Sequence, residues 1–196
     1  YFIPKYEKKI LIQEANLFCD WYVKNNFSKN GIKKFSKDFK KVMKNLASKL
    51  MLKENVFVHR DFHVSNLMLV KKNIGVIDSQ DAVFGNRAYD LASLIDDVRL
   101  KTSKSLKKKI FNYYLKKQKK INTHKFKNDF EILSIMRNLK IIGIFTRLAI
   151  RDGKKNYLKL IPYTWKLVSM RIDENEAFKD LKNLLNQKFK KRLNEN

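Results

Sequence analysis

The sequence predicts a predominantly helical α+β fold, and three observations carry that prediction. Apolar residues recur at helical spacing along most of the chain. One central stretch, residues 56–77, switches to short apolar runs separated by turn residues. Only five glycines and two prolines occur in 196 residues, too few to mark a linker or a low-complexity segment. With a hydrophobic content of 44%, one sizeable core can form, so a single domain over 1–196 is expected.

Taken in order, Leu11, Ala15, Phe18 and Tyr22 make the apolar stripe of a first helix from Lys9 to about Phe27. Ser36 suits the N-cap of a second helix, with Phe39, Val42, Met43, Leu46, Leu50 and Met51 as its buried stripe and its lysines facing water. Three strands follow, Val56–Val58, Leu67–Val70 and Ile74–Ile77, the last two joined by a turn at Lys71-Lys72-Asn73. Beyond Gly85 helical periodicity returns over 89–98, 104–120, 127–150 and 157–171. Asp173 and Glu176 have capping-box spacing for a last helix. Helices around one small hairpin make that hairpin a rigid mount for loops rather than a sheet core. Trp21, Met43 and Trp165 read as core residues.

Composition narrows the functional classes. Cys19, the single cysteine, cannot form an intrachain disulfide or a thiolate metal site, which fits a reducing compartment and points to the cytoplasm. No secretory signal pattern opens the chain, and the longest apolar stretch, 141–145, is far too short to span a bilayer. A net charge of +25 would attract phosphate backbones. Its lysines are scattered beside abundant Asn and Ile, as an AT-rich genome produces, and no nucleic-acid module is recognisable, so neither a specific nucleic-acid partner nor a membrane partner is expected.

Chemistry concentrates in 56–78, V-F-V-H-R-D-F-H-V-S-N-L-M-L-V-K-K-N-I-G-V-I-D. Asp61 and Asn66 lie five apart in one loop, and Asp78 ends the next strand, so three oxygen-bearing groups converge at one end of a hairpin. Phosphoryl transfer needs such a set: one carboxylate to orient the attacking hydroxyl, and a carboxylate with an amide oxygen to hold Mg²⁺ against nucleotide phosphates. Taken singly, each would be a turn residue or a cap; the joint spacing argues otherwise. His59 and His63, four apart, could pair on zinc only from a helix, which the strand-like flanks oppose.

The run H59-R-D-F-H-V-S-N66, with I77-D78, Gly85 and Asp90-Leu91 downstream, resembles the aminoglycoside phosphotransferase and choline kinase superfamily. Protein kinases would show D-F-G at the second Asp and a later A-P-E; here Ser79-Gln80-Asp81 follows and A-P-E is lacking. V76-I-D-S-Q-D-A-V-F-G85 and L139-K-I-I-G-I-F-T-R-L-A-I-R-D-G-K154 resemble the bacterial N-acetylmuramate and N-acetylglucosamine anomeric sugar kinases, with Ser79 standing where that group usually has Phe. The resemblance implies the larger lobe of a kinase-like fold, ATP and Mg²⁺ as cofactors, and transfer to the anomeric hydroxyl of an amino sugar in cell-wall recycling. It also implies Asp61 as catalytic base, Asn66 and Asp78 as Mg²⁺ ligands, and His59 and Asp90 as loop supports.

Gln80 and Asp81 either bind sugar hydroxyls or are solvated loop residues. Arg137, Arg147, Arg151 and Asp152 lie on or just after a helix that the resemblance places near the acceptor, where arginine could take a carboxylate such as a lactyl group; the other reading is a charged helix face. The Gly-rich loop and strand lysine that clamp ATP are missing, Gly31 being the one glycine before His59, and the chain opens on Tyr1 within Y1-F-I-P, which resembles the entry to the larger lobe. A truncated start and weak ATP binding by 1–196 alone are therefore expected. Other acceptors such as an aminoglycoside or choline, and a non-catalytic kinase-like binding module, are the rival readings.

Overall fold

The structure is a computed structural model that describes residues 2–27, 29–53 and 55–194; Tyr1, and with it the start of the Y1-F-I-P stretch, lies outside them. Helix α1 (Lys8–Leu17) widens into a π-helical stretch, Phe18–Val23, and ends in a short turn, α2 (Lys24–Asn26). Helix α3 (Lys29–Ser48) follows, then β1 (Val56–Val58), a 3₁₀ turn (Val64–Asn66), β2 (Leu67–Val70), β3 (Asn73–Val76) and β4 (Val83–Gly85). The rest is helical: α4 (Ala88–Ile95), α5 (Lys104–Lys117), α6 (Thr123–Ile150), α7 (Ile161–Ile172) and α8 (Lys179–Asn194), with 3₁₀ turns at Lys155–Leu160 and Glu176–Phe178. The fold is helical α+β, as the sequence predicts.

The chain divides into two compact units. One comprises the described residues of Tyr1–Glu7 with Met51–Leu133. In it β1 pairs antiparallel with β4, Val58 opposite Val83 and Val56 opposite Gly85. Beside β4, Phe84 N donates to Pro4 O at 2.8 Å and Tyr6 N to Phe84 O at 2.7 Å. A side chain at Gly85 would put its Cβ 3.0 Å from Tyr6 Cβ, so this seam closes because residue 85 has none. Asp129, fully buried, accepts from Met51 N, Leu52 N, the Asn86 amide and the Asn128 amide at 2.6–3.0 Å. One carboxylate thereby fastens the entry to β1 and the exit from β4 to α6. Hairpin β2–β3 adds little to the core, since its cross-strand partners Leu69 and Ile74 are both exposed.

The other unit comprises Lys8–Leu50 with Ser134–Asn196. Its centre is aromatic: Phe18 lies 5.4–5.7 Å by ring centroids from Tyr22, Phe39, Trp165 and Phe189, and Trp165 Nε1 donates to the Tyr22 hydroxyl at 3.3 Å. Gly143 of α6 abuts the end of α1. A Cβ there would fall 2.3 Å from the Leu17 carbonyl carbon and oxygen, a contact no backbone tolerates.

Several local expectations need correction. Ser36 caps nothing, because α3 already runs from Lys29; Leu50 and Met51 lie beyond its end, Met51 exposed. Strand β4 appears where three residues offer too short a pattern to read, and the described residues form two separate two-stranded sheets rather than one hairpin. The third strand starts one residue early, at Asn73. The helix expected over 157–171 is a 3₁₀ turn followed by α7, with Pro162 in the first turn of α7, where a missing N–H costs nothing. Asp173 ends α7 and pairs with Lys182 at 2.7 Å; Asn175 instead caps the next turn, its Oδ1 accepting from Ala177 N. Trp21 is only half-buried, whereas Met43 and Trp165 are core.

Candidate active site

The loop from His59 to Asn66 leaves β1 and enters β2, and its shape follows from what its N–H groups bond. The Asp90 carboxylate, in the first turn of α4, accepts from His59 N at 2.7 Å and Arg60 N at 3.0 Å. Arg60 has φ 71°, the left-handed region that non-glycine residues adopt at a cost; two charge-assisted hydrogen bonds hold it there. The Arg60 guanidinium donates to Asp81 O at 3.2 Å and lies over the Tyr6 ring at 5.2 Å. Past Asp61 the loop closes on itself: His63 N donates to Asp61 O at 3.0 Å and Asn66 N to His63 O at 2.9 Å.

The three oxygen-bearing residues meet through Asn66. Its Nδ2 donates to Asp61 O at 3.0 Å and faces Asp78 Oδ2 at 3.5 Å, so the amide nitrogen is committed to the loop. With Nδ2 so engaged, Oδ1 is the atom of this buried amide left for a ligand. Asp78 follows β3 with φ 69°, a second left-handed residue. Two contacts position its approach: the His59 ring donates from Nε2 to Ile77 O at 2.9 Å, and Ile77 N donates to Asn66 O at 3.1 Å. Since a carbonyl can only accept, the bond assigns the proton of the His59 ring to Nε2. Asp61 is half-buried and Asp78 exposed.

A carboxylate and an amide oxygen are hard donors, which fit Mg²⁺ better than a soft metal. Among the described residues no cluster of three or more His, Cys, Asp or Glu could hold a metal unaided. That suits an ion bound mostly through substrate phosphates and water, with one or two protein ligands.

Gln80 falls at this site, its amide donating to Asp78 Oδ1 at 2.5 Å, and Asp81 is present through its carbonyl. Arg137 and Arg147 belong to the other unit. There Arg151 grips Asp152 through two hydrogen bonds, at 2.6 and 3.0 Å, which hold the Asp152 carboxyl below its ordinary range; both side chains are exposed on the whole. The sequence reading missed Asp97. Only 2% exposed, it accepts from Val64 N at 3.0 Å and Arg99 N at 2.9 Å, anchoring the loop beyond Asp61 as Asp90 anchors it before. Its signal was available: an acid pair, Asp96-Asp97, directly after an apolar helix.

Residues 13–125 match the model of the phosphotransferase enzyme family, and the chain belongs to that family. It is similar to N-acetylmuramate/N-acetylglucosamine kinases of several bacteria. The one from Neisseria meningitidis serogroup B is 33% identical over 82% of this chain and 50% of the relative. Those from Pseudomonas aeruginosa and Pseudomonas putida are 30% and 29% identical, each over 93% of this chain and 56% of the relative. The chain spans about half the length of the curated relatives it matches. No helix among the described residues is long and apolar enough to cross a membrane.

Proposed function

We propose that the protein to which this chain belongs transfers the γ-phosphoryl group of ATP to the anomeric hydroxyl of N-acetylmuramate or N-acetylglucosamine, serving cell-wall recycling in the cytoplasm. Residues 1–196 act as its kinase-like larger lobe. The observation that carries the reading is the Asn66 amide, whose nitrogen bonds the Asp61 carbonyl and faces the Asp78 carboxylate, drawing a loop carboxylate, an amide oxygen and a strand-end carboxylate to one hairpin end. The names of the relatives supply the acceptor class.

In this reading Asp61 accepts a hydrogen bond from the sugar hydroxyl, orients its oxygen for in-line attack and takes its proton as the bond to the γ-phosphorus forms and the bond from that phosphorus to ADP breaks. Asn66 Oδ1 and Asp78 would hold Mg²⁺, which would supply neutralisation of charge on the nucleotide phosphates. Asp90 and His59 act earlier: they fix the backbone on either side of Asp61 and before Asp78, so neither group must be ordered during the reaction.

The test is ³¹P NMR of the full-length protein with Mg-ATP and a panel of amino sugars, aminoglycosides and choline. A new sugar 1-phosphate signal is expected, weakened about 10²–10⁴-fold by Asp61→Asn. Transfer to a different acceptor would keep the mechanism and replace the substrate. No transfer to any of them would overturn the kinase reading in favour of a binding module.

A further inference from the structure

Helices α3, α5 and α8 are all rich in lysine, and α5 differs from the other two. On α3 and α8 an acid lies among the lysines, Asp38 and Asp180, and no large apolar side chain is exposed. Helix α5 carries six lysines and no acid, and no acid occurs anywhere between Asp97 and Asp129. Its inner face is satisfied within its own compact unit. Phe111 packs on Phe126 and Phe130, and Tyr114 on Phe126, at 4.9–5.8 Å between ring centroids. The buried Lys107 meets Asp96 at 3.2 Å. The outer face is not satisfied. Leu106, Lys109, Tyr113, Lys116 and Lys117 follow i, i+3, i+7, i+10, i+11 spacing, which sets them along one stripe. All are exposed, Leu106 at 43% and Tyr113 at 62%. The three lysines have no anionic partner among the described residues, and Lys117 Nζ rests 5.5 Å from the centre of the Tyr113 ring.

Water alone accounts for a lysine face, and one exposed leucine needs no explanation. A leucine and a tyrosine two turns apart, set among three lysines without anionic partners, make a different surface. We propose that this face of α5 docks on an anionic lipid bilayer, lying on its surface without crossing it. Leu106 and the Tyr113 ring enter the boundary between head groups and acyl chains, where tyrosine keeps its hydroxyl wet. Lys109, Lys116 and Lys117 lay their apolar stems beside them and carry their ammonium groups to the lipid phosphates. A nucleic-acid backbone would take the same lysines but leave Leu106 in water, so the apolar pair is what selects the bilayer. The inference uses no residue of the candidate active site and does not depend on the sugar-kinase reading.

Flotation of the full-length protein with vesicles reads the interaction, using phosphatidylcholine alone and phosphatidylcholine with about one-third phosphatidylglycerol. Binding is expected to the anionic vesicles only, and to weaken as salt is added. Each lysine at an anionic surface is worth about fivefold in affinity, so Lys109→Gln, Lys116→Gln and Lys117→Gln together should weaken binding about 100-fold. Leu106→Ser with Tyr113→Ser keeps every charge and should weaken it about tenfold. The control makes the same change of charge on α3, Lys33→Gln with Lys37→Gln and Lys41→Gln, and should stay within about threefold of wild type. All these side chains are exposed, so folding is not at stake. Equal loss from the α3 and α5 lysine changes, full binding by the Leu106→Ser, Tyr113→Ser variant, or no binding of wild type to the anionic vesicles overturns the proposal. So does a labelled RNA duplex that displaces the vesicles and binds through the α5 lysines without need of Leu106 or Tyr113, which would make the face a nucleic-acid site.

Discussion

In the unit that carries β1–β4, strands of three and four residues are held by carboxylates that collect backbone N–H groups: half-buried Asp90 from His59 and Arg60, buried Asp97 from Val64 and Arg99, buried Asp129 from Met51 and Leu52. In the unit built on α1, α3, α7 and α8, the corresponding work falls to packed rings around Phe18 and Trp165. Hydrogen bonds are directional and hold a loop in a chosen geometry, even a left-handed one such as that of Arg60. Apolar packing is non-directional and stabilises in proportion to area buried. The loop unit can therefore lose function with little loss of stability, and the ring unit the reverse.

That contrast breaks if substitutions fail to separate the two properties. The largest stability effect is expected at Gly143→Ala. Its new Cβ meets the Leu17 backbone, so α1 and α6 must part, at about 3 kcal/mol or more, read as a lowered midpoint in urea unfolding. Asp90→Ala leaves the N–H groups of His59 and Arg60 without their acceptor. It should cost about 1–3 kcal/mol by the same measurement, yet reduce phosphoryl transfer by at least tenfold, since Asp61 is the next residue. A stability loss at Asp90 with full activity would erase the distinction between the units.

The smallest effect concerns Cys19, 3% exposed in the π-helical stretch, where burial pushes its thiol up to about 12 despite a hydrogen bond with Ser36. Thiol reagents at pH 8 should label it far more slowly in the native protein than in denaturant. Because the folded-state value is the raised one, the unfolded chain loses this proton first. Cys19 therefore favours folding below pH 9.0 and progressively less from there to about 12. Wild type and Cys19→Ala should accordingly differ less in stability at pH 10.5 than at pH 8.

Much of the site was legible because it is local. Asp61, Asn66 and Asp78 lie within eighteen residues, and the order of loop, strand, turn and strand follows from apolar runs and polar punctuation. The long helices were legible for the same reason, through a period of 3.6 residues repeated many times. Strand β4 was not, since Val83–Gly85 is three residues whose pairing with β1 depends on a partner 25 residues away. Nor was the start of α3: Ser36 has the chemistry of a cap, but Phe35 and Phe39 are buried on one face, and packing carries the helix past it.

The sequence by itself therefore determined the helical α+β class, the catalytic-loop pattern and the family, since each rests on residues close together in the chain. Only the tertiary structure decided which charges have partners. It matched Lys107 with Asp96, gave Asp97 to the Val64 N–H and left Arg137 Nη1 buried without a hydrogen bond among the described residues. Burial and pairing are properties of neighbours in space, and no periodicity in a single chain records which side chains those neighbours will be.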